Sequence, residues 1–224
     1  MPVNTGAGWW NAFIWAGWDG AGWEDRGMEY GVRVLHFADY PVAPWRNGRG
    51  ETREIAASVV VAGSQETPAW RISMATIDEG VPFSAFPGLV RMLGVVDGEG
   101  IQLTVGDRMQ PLRLGNVFGP FDGGLPASAR PIGGSALDLG LTLDPARVQG
   151  SLNAIGAGEH DLVGLTWFVI SLVDGLALTL NEREPITLSR WDTAALDLRA
   201  GPIARLTLTA EASGPVAYLV SISR

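Results

Sequence analysis

The sequence predicts an all-β fold made of two similar antiparallel halves, each a β-barrel or jelly roll, packed together. Three observations carry that prediction. Short runs rich in Val, Ile, Leu and Thr recur along most of the 224 residues, while convincing helical periodicity is scarce. Thirty glycines and fourteen prolines punctuate the runs, as many tight turns between strands require. Finally, "RMLGVVDGEGIQLTV" at 91–105 and "WFVISLVDGLALTL" at 167–180 share an apolar strand, a Val-Asp-Gly turn and a second strand containing Leu-Thr. One Asp-Gly hairpin signal is common; two in matching surroundings, one per half, indicate a duplicated unit.

In chain order, the first feature is "GWWNAFIWAGWDGAGW" at 8–23, with five of the nine tryptophans among glycines. No basic residue precedes Arg26, and Asn11 and Asp19 break the aromatic stretch, so it does not read as a signal peptide. Residues 1–27 are expected to be an extension of little structure, with the folded part beginning at Met28. Strands of a first barrel, 28–121, are read at 30–38, 53–62, 69–77 and 89–96. The Gly-, Pro- and Ala-rich stretch 119–135 marks the divide. The second barrel, 122–224, takes its strands from 164–173, 176–181, 185–190, 194–200, 204–210 and 216–223.

Composition excludes several function classes. The net charge of −8 argues against a nucleic-acid partner, which clustered cationic side chains would have to hold. All sixteen basic residues are arginine, a side chain suited to bidentate capture of carboxylates. The absence of cysteine removes disulfides, thiolate metal sites and Cys nucleophiles. No apolar run reaches the roughly 18–20 residues of a membrane span, so no membrane partner is expected and the chain reads as cytoplasmic. With only His36 and His160, a His-rich metal centre is not expected, nor is any cofactor. No Gly-x-Ser-x-Gly elbow accompanies the serines, and "GAGEHD" at 156–161 reads as a turn rather than a phosphate cradle.

The polar residues concentrate in "APWRNGRGETREIA" at 43–56. Asn47 offers a donor and an acceptor, Thr52 a hydroxyl, and Glu54 an acceptor able to hold an arginine in place. Arg46, Arg53 and Arg71 are candidate forks for a carboxylate. In "AWRISMATI" alternation puts Arg71, Ser73, Ala75 and Ile77 on one face and Trp70, Ile72 and Met74 on the other. Parity alone leaves open whether the Arg71 face is a cavity floor or a solvated outer surface. Glu51 and Glu54 would face opposite sides of one strand, which weakens their reading as a paired acid and base. Phe83 and Phe86 serve either as packing at a barrel mouth or as the apolar wall of a small-ligand pocket. Arg91, entering an apolar strand, needs a partner carboxylate if buried.

"PWRNGRGETREIA" at 44–56, "WRISMATIDEGVPFSAFPGLVRML" at 70–93 and "GEGIQLTVGD" at 98–107 together resemble the HutD/Ves family in order and spacing. "FDGG" at 121–124 is similar to a Phe-x-Gly-Asp element of that family, bringing Asp122 in as a candidate. The second half is less faithful: in "LDLGLTLDP" at 137–145 Asp138 is kept, but Gly140 stands where the family pattern has Asn. The resemblance implies a bicupin fold and an association with histidine utilisation. It also implies a pocket in the first barrel for an acid such as formylglutamate or formiminoglutamate, held for regulation rather than for turnover. The expected partner is thus a small anionic metabolite, and a homodimer is allowed for. The competing expectation is a metal-independent cupin enzyme, an isomerase or amide hydrolase working through Glu54 or Asp122.

Overall fold

The computed structural model describes residues 31–45, 50–58, 67–163, 166–198 and 203–223. The expected N-terminal extension, 1–27, and the candidates Arg46 and Asn47 lie outside the described residues. The strands are β1 (Gly31–Leu35), β2 (Val42–Pro44), β3 (Glu51–Ala57), β4 (Trp70–Ile77), β5 (Val81–Pro82), β6 (Val90–Asp97), β7 (Ile101–Val105), β8 (Arg108–Leu112), β9 (Val117–Asp122) and β10 (Ala127–Pro131). They continue with β11 (Ala136–Leu143), β12 (Gln149–Ile155), β13 (Gly158–Val163), β14 (Thr166–Ser171), β15 (Leu176–Leu180), β16 (Ile186–Leu188), β17 (Thr193–Asp197), β18 (Ile203–Thr209) and β19 (Ala217–Ser223). A single 3₁₀ turn, Phe37–Asp39, is the only helical element among the described residues. No helix there is long and apolar enough to cross a membrane.

Four antiparallel sheets result. A six-stranded sheet in the order β2-β3-β4-β11-β6-β9 faces a four-stranded sheet, β5-β10-β7-β8. A five-stranded sheet, β1-β17-β14-β19-β12, is matched in the same way with β13-β18-β15-β16. The two larger sheets meet back to back, because their strands carry apolar residues on both faces. In β4, Trp70, Ile72 and Met74 point into this central layer, joined by Leu139, Leu141 and Leu143 of β11 and by Phe168, Ile170, Val220 and Ile222 of the second half. The Trp70 and Phe168 rings meet there at 5.4 Å between centroids.

Each half then has its own interior. In the second it is filled by leucines, among them Leu176, Leu178, Leu196, Leu206 and Leu208. In the first, Ile77, Leu93, Val95, Ile101, Leu103 and Val105 make up the apolar part. The remainder is lined by polar side chains of β3, β4, β6 and β11.

The duplicated motif occupies equivalent places, β6 to β7 and β14 to β15. Its Asp-Gly turn is not a hairpin: it carries the chain from the larger sheet to the smaller one in each half. Both turn glycines have positive φ, 81° at Gly98 and 69° at Gly175, a conformation glycine adopts without steric penalty. A Cβ on Gly98 would sit 2.5 Å from Ser135 O. Arg190 ties the two turns together, its Nη2 2.9 Å from Asp97 and its N–H donating to Asp174 at 3.0 Å.

Division by sheets does not coincide with a cut between residues 121 and 122. Strands β10 and β11 hydrogen-bond in the first half, and β1 pairs with β17 in the second. The alternating leucines of β11 suit it to the middle of the six-stranded sheet, between β4 and β6, where one face joins the central layer and the other the barrel interior. The β1 crossover is pinned by Asp192, which accepts from Phe37 N–H at 2.8 Å, and by Tyr40, whose Oη lies 2.8 Å from Trp191 O and from Thr193 Oγ1.

Tyr218 locks the halves from the other side. Its hydroxyl accepts from Val95 N–H at 3.0 Å and presents its proton to Asn116 O at 2.8 Å and Val95 O at 3.0 Å. Burial pushes its ionisation up to about 12. Only glycine fits beneath it, because a Cβ at Gly94 would lie 2.7 Å from the ring. Tyr218→Phe leaves the buried Val95 N–H without this acceptor and is expected to destabilise the chain by about 1–3 kcal/mol, read as a lower urea midpoint. An unchanged midpoint would show that the hydroxyl does not lock the halves.

Candidate functional site

The inner face of the six-stranded sheet is organised in cross-strand rows, since directly paired residues share a face. One row runs Arg71, Thr142, Arg91 and Phe121 across β4, β11, β6 and β9. The next runs Glu54, Ser73, Gly140, Leu93 and Phe118, starting from β3. The third contains Thr52, Ala75, Asp138 and Val95. Trp70 points into the central layer, so the opposite face of β4, with Arg71, Ser73, Ala75 and Ile77, is the inside of the barrel and not its outer surface.

Arg71 Nε donates to Glu54 Oε2 at 2.8 Å, and both side chains are about one-fifth exposed, so the pair is held yet reachable. Arg91 lies deeper, 9% exposed, with its guanidinium carbon 5.1 Å from the Phe83 ring centroid, 5.4 Å from Phe86 and 5.7 Å from Phe121. Such stacking stabilises a cation through the ring faces. It does not satisfy the N–H groups: Nη1 reaches Ser84 O only at 3.4 Å, and Nε has no partner among the described residues. Burial, opposed by Asp138 and reinforced by Arg71, holds this guanidinium down to about 10. A buried donor without an acceptor is costly and asks for an occupant.

Asp138 is 4% exposed, and its Oδ1 accepts from Ala75 N–H at 3.0 Å. Burial pushes the carboxyl up to about 7 against the opposing pull of Arg91 and of that hydrogen bond. Gly140, between Asp138 and Thr142 on the same face, would bring an added Cβ into ordinary contact with Leu93 at 3.7 Å and Ser73 at 3.8 Å, so the position has room for a methyl group that glycine does not fill.

Of the sequence candidates, Glu54, Arg71, Ser73, Phe83, Phe86 and Arg91 come together here. Thr52 lies on the same face but accepts from Trp45 Nε1 at 2.9 Å, which makes it part of the wall. Two candidates are corrected. Arg53 pairs across to Met74 and so faces the other side, where it binds Glu51 at 2.7 Å and stacks 4.9 Å from the Phe37 ring. Asp122 is exposed, and its side chain accepts from Gly124 N–H at 2.8 Å, closing a turn. Asp138, Thr142 and Phe121 belong to the site although sequence reasoning did not place them there. The alternation in "LDLGLTL" was the available signal for the first two.

No group of three or more His, Cys, Asp or Glu able to hold a metal occurs among the described residues. His36 Nδ1 lies 3.1 Å from Asp192, and His160 Nε2 lies 3.0 Å from Gly156 O, both away from the site.

Two sandwiches with their larger sheets back to back, one interior leucine-rich and the other polar and arginine-lined among the described residues, define a bicupin with a candidate site in its first half. The HutD family profile matches residues 37–218, and the chain belongs to that family. A solved structure of HutD from Pseudomonas fluorescens SBW25 is 28% identical, with a TM-score of 0.72, covering 86% of this chain and 98% of that one. An uncharacterized 21.2 kDa protein of the hutC 3' region in Pseudomonas putida is 34% identical over 122 residues, 54% of this chain and 63% of the relative. Protein Ves of Citrobacter koseri is 40% identical over 63 residues, 28% of this chain and 31% of its own length. The matched segments thus span less than two thirds of those two relatives.

Proposed function

We propose that the first barrel binds a small anionic metabolite without converting it, and that the protein thereby acts as a cytoplasmic sensor or buffer in histidine utilisation. The observation that carries this reading is Arg91: a buried guanidinium caged by three phenyl rings, with an unpartnered Nε, on the same inner face as Arg71. Two guanidiniums offer forked donors to a carboxylate, and the phenyl rings offer the apolar wall that small-ligand pockets use around few polar anchors. The family and the hutC-region relative support the pathway, which makes formylglutamate and formiminoglutamate the first acids to try.

Isothermal titration of the metal-free protein with formylglutamate, formiminoglutamate, glutamate and urocanate tests this, with each acid recovered afterwards and checked for chemical change. Saturable heat with unaltered acid is the expected result. Arg71→Ala is expected to keep the barrel folded while weakening binding by at least about tenfold, the equivalent of one charged hydrogen bond. Unchanged affinity would remove Arg71 from the site.

A second reading has Asp138 in its favour, because a buried carboxyl titrating near neutrality is suited to general acid–base work. Glu54 and Asp122, the earlier candidates for that role, are engaged by Arg71 and by a turn. An altered acid in the recovery assay would establish the enzyme reading.

A further inference from the structure

Among the described residues, four charged side chains line the polar part of the first interior: Glu54 on β3, Arg71 on β4, Arg91 on β6 and Asp138 on β11. Fully ionised, they balance to zero. The facing four-stranded sheet contributes Val81, Leu103, Ala127 and Ala129 to the inside, and its Arg108 and Arg130 are exposed. An anion entering this neutral space would leave at least one uncompensated negative charge, and proteins relieve buried charge of that kind by changing protonation.

Glu54 is poorly placed to take the proton, since it already accepts from Arg71 at 2.8 Å. Asp138 is well placed. One carboxyl oxygen is occupied by Ala75 N–H, which leaves the other to carry a hydrogen. Gly140 stands between Asp138 and the Arg71–Thr142–Arg91 row and puts no side chain in the way. A protonated Asp138 is also a donor, so it can hydrogen-bond the second oxygen of a carboxylate whose first oxygen faces the guanidiniums.

We propose that the site takes up its anion together with one proton from solvent, and that Asp138 holds this proton beside the bound anion. The inference rests on the anion-binding reading above and adds to it a dependence on pH. Burial already pushes the Asp138 carboxyl up to about 7, and a neighbouring anion raises its proton affinity further. Below about pH 7 the proton is in place before the anion arrives, so affinity is flat. Above it, each binding event must draw a proton, and affinity falls about tenfold per pH unit until the bound-state value is reached.

The test is titration with the four acids from about pH 6 to 8.5, in two buffers of different ionisation enthalpy, with the ring ionisation of urocanate subtracted. Uptake near zero at the acid end, rising toward one proton per anion at the alkaline end, is expected. Asp138→Asn keeps an oxygen for Ala75 N–H and cannot titrate, so its affinity is expected to be independent of pH and its proton uptake zero. Binding without proton uptake in the wild type at about pH 8 would overturn the inference and leave the anion site standing. So would an undiminished pH slope in Asp138→Asn. If none of the acids binds at any pH, both fall. Should Asp138→Asn fail to fold, the wild-type proton count alone decides.

Discussion

Arg91→Met is expected to leave the first barrel folded, with a melting temperature equal to or above that of the wild type, and to weaken anion binding by on the order of a hundredfold. The two effects have opposite signs for one physical reason. The guanidinium is desolvated, its Nε lacks an acceptor among the described residues and its pKa is depressed to about 10, all of which oppose folding. Methionine has a similar length, makes favourable contacts with aromatic rings and buries no unsatisfied donor between Phe83, Phe86 and Phe121. The ligand loses a charged donor worth about 1.5–3 kcal/mol per hydrogen bond. Thermal unfolding and titration of the same preparation check both halves. A large fall in melting temperature would mean that the phenyl cage exists to hold the arginine for the fold rather than for a ligand.

Asp138→Asn is expected to stabilise the protein at about pH 8 and to lose that advantage as pH falls toward 4. The native carboxyl titrates near 7, above its unfolded value of 3.8. Below 3.8 both states are protonated and the group contributes its full share. Between 3.8 and 7 the unfolded chain releases the proton while the native state keeps it, so wild-type stability drops as pH rises. Above 7 that contribution is gone, a difference on the order of a few kcal/mol for a shift of this size. The asparagine retains the bond from Ala75 and has nothing to titrate, so subtracting the two melting curves across pH isolates the carboxyl. An asparagine variant less stable at pH 8 than at pH 5, relative to wild type, would show that the ionised carboxylate is favourable where it sits.

The β class and the duplication were legible because they rest on local patterns: alternation in "AWRISMATI", and two Val-Asp-Gly turns in matching surroundings. The sheet to which each strand belongs was not legible. Strand β11 follows a Gly/Pro-rich stretch that reads as a boundary, yet "ALDLGLTL" completes the first half, since only there do its leucines and its polar residues each meet a suitable layer. Strands β8, β9 and β10 do not read as strands because "RMQPL", "VFGPFD" and "ASARP" mix prolines, a glycine and charged residues, and most of β8 is exposed. "GAGEHD" reads as a turn from its glycines, whereas β13 begins at Gly158. Asp-Gly reads as a hairpin from its turn chemistry, which is correct for the turn and silent about the partner sheet.

Half of the site followed the same rule. Parity placed Arg71 and Ser73 together and separated Glu51 from Glu54, as the rows show. Parity also set Arg53 apart from Glu54, but an arginine beside a glutamate in a polar motif looks like part of the same cluster until its strand partner, Met74, fixes its side. Asp122 was drawn in by a motif whose carboxylate serves the backbone of its own turn. Alternation in "LDLGLTL" puts Asp138 and Thr142 on one face, but which interior that face lines, and the place of Phe121, follow only from the long-range pairing that sets β11 and β9 on either side of β6.

The measurement that bears most directly on the account is the crystal structure of the protein grown with whichever acid gives the strongest heat. A carboxylate is expected inside the first barrel, over Gly140, within hydrogen-bond distance of Arg91 Nε and Arg71. The acid bound on the outer surface, or in the leucine-filled second half, with Arg91 Nε still unpartnered, would contradict it.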